Sequence, residues 1–131
     1  MAIKLVTPVC NRLPVPCKLP RSGGGPERAA DLVARYGGEE FALIGPCTDP
    51  TGAIHVAQVI RSQVRNCAIA HRSSPVSQYV TLSLGVATIK PTSDTEPPML
   101  IAAADRALYQ AKASGRDRLF FNDSLIANCK L

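Results

Sequence analysis

The 131-residue chain carries 15 Lys and Arg against 10 Asp and Glu, a formal charge of +5, and 46% of its residues are apolar. That length and composition fit one domain with a modest core, and the basic balance suits an anionic partner such as a nucleotide. No tryptophan and 5% aromatic residues argue against a stacking platform for single-stranded nucleic acid. No stretch approaches membrane-spanning length. Cys10, Cys17, Cys47, Cys67 and Cys129 are odd in number and irregular in spacing, which fits neither a disulfide framework nor a zinc site. Reduced thiols in the cytosol are the plainer account. Lys4 and Pro8 interrupt the apolar start, so no signal-peptide core is present and a soluble, cytoplasmic chain is expected.

Residues 1–27 read as a Pro/Gly-rich irregular segment, and 28–131 as the folded domain. Ile3 and Leu5 alternate around Lys4, enough for a short strand. Pro8, Pro14, Pro16, Pro20 and Pro26, with Gly23-Gly24-Gly25, then forbid a continuous helix. Order is expected from Arg28. A hairpin follows from about Asp31 to Ile44, turning at Gly37-Gly38, where paired glycines permit φ > 0. Glu39 and Glu40 lie just past the tip. Adjacent carboxylates repel unless a cation is near, and a hard divalent ion such as Mg²⁺ suits them. The other reading of the turn is an ordinary hairpin with two solvated glutamates.

Thr48 or Thr51 is placed to cap a helix over 52–66, whose Val56, Val59, Ile60 and Val64 recur at helical spacing. Neither His55 nor His71 is assigned a role. Val80–Thr88 is the clearest strand, with Val80, Leu82, Leu84 and Val86 on one face and Thr81, Ser83, Gly85 and Ala87 on the other. The second face is small enough for an element or a ligand to approach closely. A second helix spans about Pro98 to Ser114, with Ile101, Ala104, Leu108 and Ala111 on one face and Gly115 placed to end it. Arg118–Phe121 forms a last short strand, and the tail to Leu131 is weakly patterned. Hairpin, helix, strand, helix, strand makes an α/β fold, an α+β sandwich of helices on one sheet.

Three of these segments resemble one family in its own order. Arg35-Tyr36-Gly37-Gly38-Glu39-Glu40-Phe41 is similar to the signature of the GGDEF domain, the diguanylate cyclases, in its GGEEF form. Val80–Thr88 resembles the strand after the signature helix. Ala104 to Lys112, with Gly115-Arg116, resembles the closing helix, ADxALYxAKxxGR. The resemblance covers about Arg28 to Phe121. It implies a fold akin to the palm domain of polymerases and adenylyl cyclases. It also implies condensation of two GTP to cyclic di-GMP, a bacterial second messenger, with release of pyrophosphate across a homodimer, and Mg²⁺ or Mn²⁺ as cofactor. No nucleic-acid partner is implied. By matched position Glu39 is a metal ligand and Glu40 supports the metal or the attacking hydroxyl. Gly37 and Gly38 leave room for the nucleotide, and Lys112 and Arg116 hold the triphosphate. The plainer account of these two basic residues is that they complement the helix dipole. Arg28 and Asp31 form an RxxD string at the family's inhibitory site, where cyclic di-GMP product binds; an ordinary solvated ion pair is the alternative.

One family segment is not found. The D-x-D-x-F-K-x-x-N pattern of the opening strand and helix has no counterpart, and no aspartate precedes Asp31. The domain is therefore expected to be incomplete at its N-terminus, with unpaired backbone where a central strand belongs; Ile3 and Leu5 are candidates to substitute as a strand there, but the segment is short and no helix follows it. Its metal site is expected to lack one side of the ligand set, and catalysis to be impaired or absent. Three other functional readings accompany that of a cyclase. The first is a defective cyclase that still binds cyclic di-GMP through Arg28 and Asp31. The others are a fragment without independent function and, resting on charge alone, a nucleic-acid binder.

Overall fold

The computed structural model describes residues 2–6 and 32–122. The Pro/Gly-rich stretch over 7–27, Arg28, Asp31 and the tail beyond Asn122 lie outside the described residues. Seven elements follow in order. They are β1 (Ala2–Val6), β2 (Leu32–Gly37), β3 (Glu40–Ile44), α1 (Pro50–Asn66), β4 (Ser83–Ala87), α2 (Pro97–Ala113) and β5 (Leu119–Asn122). The strands form one sheet in the order β2-β3-β1-β4-β5. The β4–β5 pair is parallel and the others are antiparallel.

The short strand expected around Ile3 and Leu5 is β1, and it occupies the centre of the sheet. It pairs along its whole length with β3 on one side, Ala2 opposite Ile44 through Val6 opposite Glu40. On the other side it pairs with β4, Ala2 opposite Ala87 through Val6 opposite Ser83. This corrects the expectation of unpaired backbone at that position: five residues of alternating pattern are enough to bridge β3 and β4.

β4 divides the core in two. Val80, Leu82, Leu84 and Val86 are buried with Leu43 and with Ala53, Ala57 and Val64 of α1. The expected α1 stripe is thus shifted, since Ala53 and Ala57 are fully buried while Val56 and Ile60 pack at its margin. The other face of β4 carries α2, whose buried residues are Ala103, Ala104, Ala107, Leu108 and Ala111. Small meets small. A Cβ built on Gly85 would collide with the Ala104 carbonyl and the Leu108 backbone nitrogen, and would lie 2.7 Å from the Leu108 Cβ. The bare face of β4 is therefore a helix seat, and of the two occupants the sequence allowed, the element is the one found.

Helix α1 starts as its chemistry requires. Asp49 caps α1, its carboxylate accepting from the Gly52 N–H at 2.8 Å, with Pro50 following in the first turn. This corrects the choice of Thr48 or Thr51. Beyond α2, Gly115 adopts φ 110°; its N–H donates to the Lys112 carbonyl at 3.3 Å, and the Arg116 N–H to the Ala111 carbonyl at 3.0 Å. That doubled bond is a Schellman ending.

Gly85→Ala is expected to lower the unfolding free energy by about 1–3 kcal/mol, the usual cost of overpacking a tight contact. A urea melt with an unchanged midpoint would show that α2 does not sit on β4 as described.

Candidate active site

The signature residues sit on the β2–β3 turn. β2 ends at Gly37, Gly38 and Glu39 form the turn, and β3 begins at Glu40. The register shifts between Arg35, opposite Phe41, and Gly37, opposite Glu40, so Tyr36 is an extra residue on β2. Gly38 takes φ 52°, where a Cβ is disfavoured. Gly37 has no such demand, and a Cβ there would meet nothing within 4 Å. The fold leaves Gly37 with open space over its backbone.

Arg35 secures this turn. Its guanidinium donates twice to the Gly38 carbonyl, from Nε at 2.8 Å and from Nη2 at 2.6 Å. Sequence reasoning passed over Arg35, although its place three residues before Gly38 put a fork donor within reach of the tip.

Across the sheet, the closing helix reaches the same place. Gly85 lies beneath Ala104 and Leu108, while the Asn122 side-chain amide at the end of β5 donates to the Ala103 carbonyl at 3.1 Å. The helix therefore runs back over β4, bringing its C-terminal turn to the end of the sheet where Val6 pairs with both Ser83 and Glu40. There Lys112 Nζ lies 3.5 Å from Glu40 Oε1, with 34% and 30% of the two side chains exposed. A pair this open is worth at most about 1 kcal/mol. It can be exchanged.

Of the sequence-selected residues, Gly37, Gly38, Glu39 and Glu40 are contiguous at the turn, and Lys112 joins them. Arg116 is exposed on the Schellman turn past Lys112 and makes no side-chain hydrogen bond or ion pair with the described residues. Arg28 and Asp31 lie outside the described residues. Among the described residues no group of three or more His, Cys, Asp or Glu is placed to hold a metal ion. Glu39 and Glu40, the second paired to Lys112, fall short of the near-octahedral oxygen set that Mg²⁺ takes. The described donors do not fit a complete divalent-metal site. Among the described residues, no helix is long and apolar enough to cross a membrane.

A family model described as "Diguanylate cyclase, GGDEF domain" matches residues 27–118. Response regulator PleD of Caulobacter vibrioides (strain NA1000 / CB15N) is 44% identical over 92 residues, 69% of this chain and 20% of PleD. Diguanylate cyclase DgcP of Pseudomonas aeruginosa is 35% identical over 92 residues, 70% of this chain and 13% of DgcP. The chain thus spans a fifth or less of the length of these two relatives. Among solved structures, the GGDEF domain of DgcB from Caulobacter crescentus in complex with c-di-GMP superposes with a TM-score of 0.62 at 33% identity. That match covers 73% of this chain and 56% of the other. The active GGEEF domain of a diguanylate cyclase from Vibrio cholerae, 22% identical, shares the fold with a TM-score of 0.63, covering 94% and 82%. The α+β, palm-like arrangement agrees with both, and the chain belongs to the GGDEF domain family as a diguanylate cyclase-type domain.

Proposed function

We propose that this domain holds GTP at the hairpin tip and condenses two GTP molecules to cyclic di-GMP, one nucleotide on each subunit of a homodimer. Each 3′-hydroxyl attacks the α-phosphate of the other nucleotide. Two P–O ester bonds form, two α–β phosphoanhydride bonds break, two pyrophosphates leave, and two hydroxyl protons pass to solvent. The observation that carries this reading is Lys112 held 3.5 Å from Glu40, an exchangeable cation beside the two signature carboxylates.

The residues divide the work by their chemistry. Lys112 leaves Glu40 for the triphosphate as a point charge, and Arg116 adds a planar fork. Gly37 and Gly38 let the nucleotide approach the backbone. Positioning and charge stabilisation of this kind supply most of the rate in phosphoryl transfer. The family generally uses a divalent metal; Glu39, with Glu40 beside it, is the carboxylate that would hold Mg²⁺ or Mn²⁺, and the described donors do not complete a site for it. Cyclic di-GMP, the ligand in the DgcB domain structure, is proposed to bind this chain at Arg28 and Asp31 and restrain it. The domain is placed in the cytoplasm, where GTP is found.

Products of the pure chain with GTP and Mg²⁺ or Mn²⁺, resolved by chromatography, are expected to contain cyclic di-GMP, slowly formed. Glu39→Ala should reduce it by about 10²-fold or more, the scale of losing a charge-stabilising group. GTP bound but never converted would overturn the cyclase reading and leave the cyclic di-GMP-binding one, for which Arg28→Ala must weaken a cyclic di-GMP titration.

Gly37→Ala separates fold from function. Stability should stay within about 0.5 kcal/mol of the parent, because no atom opposes the added methyl, while GTP affinity falls. Unchanged GTP affinity would show that the nucleotide does not lie over Gly37.

A further inference from the structure

Past the end of α2 the backbone is held in an unfavourable form. Gly115, Arg116 and Asp117 have φ of 110°, 61° and 44°, so two residues with a Cβ follow the glycine in the left-handed region. Asp tolerates that region better than most residues, whereas Arg has no such preference. Such conformations persist only where the surroundings impose them, and they gather at functional positions.

The imposing contact comes from the other side of the sheet. Arg61, on α1, donates from Nε to Asp117 Oδ1 at 3.0 Å and from Nη2 to the Asp117 backbone carbonyl at 2.6 Å. Arg65, one turn on, lies 3.5 Å from Asp117 Oδ2. Asp117 is thus gripped by side chain and main chain together, and its carboxylate is only 21% exposed. The residue just before it is Arg116, exposed and without a side-chain partner among the described residues. A clamp on one residue of a strained turn fixes the direction in which its neighbour leaves the backbone.

We propose that Arg61 and Asp117, assisted by Arg65, form a positioning clamp that presents the Arg116 guanidinium to the triphosphate of a bound nucleotide. This rests on Arg116 being a phosphate-binding residue, as assigned above. None of the three clamp residues touches the nucleotide. They act by cutting the conformations open to Arg116, so that less freedom is lost when it closes on phosphate.

The sign of one substitution separates this from plain charge. Removing the Asp117 carboxylate raises the local positive charge and frees two arginines, so electrostatics alone would tighten GTP binding. The clamp predicts the reverse.

The test is calorimetric titration of the full chain with GTP for the parent, Arg116→Ala, Asp117→Ala, Asp117→Asn and the double variant Arg116→Ala/Asp117→Ala, with a thermal melt of each. Arg116→Ala is expected to weaken GTP binding about tenfold, as loss of a charge-assisted contact does. Asp117→Ala should weaken it several-fold in the parent and not at all in the Arg116→Ala background, because it acts only through Arg116. Asp117→Asn keeps an acceptor for Arg61 and tolerates φ > 0, so it should retain most of the affinity and stay folded if Asp117→Ala does not. Tighter binding by Asp117→Ala, or equal losses in both backgrounds, overturns the clamp and leaves a structural tie between α1 and the sheet edge. Parent-like binding by Arg116→Ala instead overturns the assignment of Arg116 to phosphate, and the clamp's purpose with it.

Discussion

The seat of α2 on the bare face of β4 is the constraint on which the site depends. Gly85 removes the one side chain that would hold the helix away, and the alanines at 103, 104, 107 and 111 remove the bulk from the opposing surface. The two backbones meet closely, leaving the helix little freedom to slide or tilt. Because β4 and β5 are parallel, the helix between them must run back along the sheet. Its C-terminal turn therefore arrives at the end where β3 begins, and Lys112 meets Glu40 across a separation of 72 residues.

What gathers at that end is held with deliberately unequal firmness. The turn is locked by two Arg35 hydrogen bonds to the Gly38 carbonyl. Asp117 is locked by Arg61 through carboxylate and carbonyl. Between these fixed points, the Lys112–Glu40 pair is long and a third exposed, and Arg116 is uncommitted. Rigid backbone with exchangeable cations is an arrangement suited to an anionic ligand, since little order must be imposed on binding. The central strand is the least conventional part. β1 is five residues long, yet it pairs on both edges and closes the gap between β3 and β4. It supplies hydrogen bonds there but no acidic side chain, so the sheet is bridged while the described donor set stays small.

Much of this was legible from the residues. Period-2 alternation over Val80–Thr88 gave both faces of β4 correctly, and its small face foretold a close approach. Helical spacing with Gly115 at the end located α2 to within a residue. The paired glycines located the turn between β2 and β3. Other features resisted reading for physical reasons. The α1 cap was assigned to a threonine, although aspartate before proline is equally a helix start. The buried stripe of α1 centres on alanines, which carry a weak hydrophobic signal. The β1 pairing depends on partners from Val6–Glu40, 34 residues apart, to Ala2–Ala87, 85 apart, beyond the reach of local pattern. The clamp joins residues 56 apart in the chain, and nothing in the local sequence of Arg61 distinguishes it from a solvated helix arginine.

The hairpin tip and the end of α2 are proposed to form one nucleotide site. Amide chemical-shift mapping during a GTP titration tests this directly. Gly37, Gly38 and Glu39 are expected to shift together with Lys112, Gly115 and Arg116, following one saturation curve. Shifts that leave either group unmoved would contradict it.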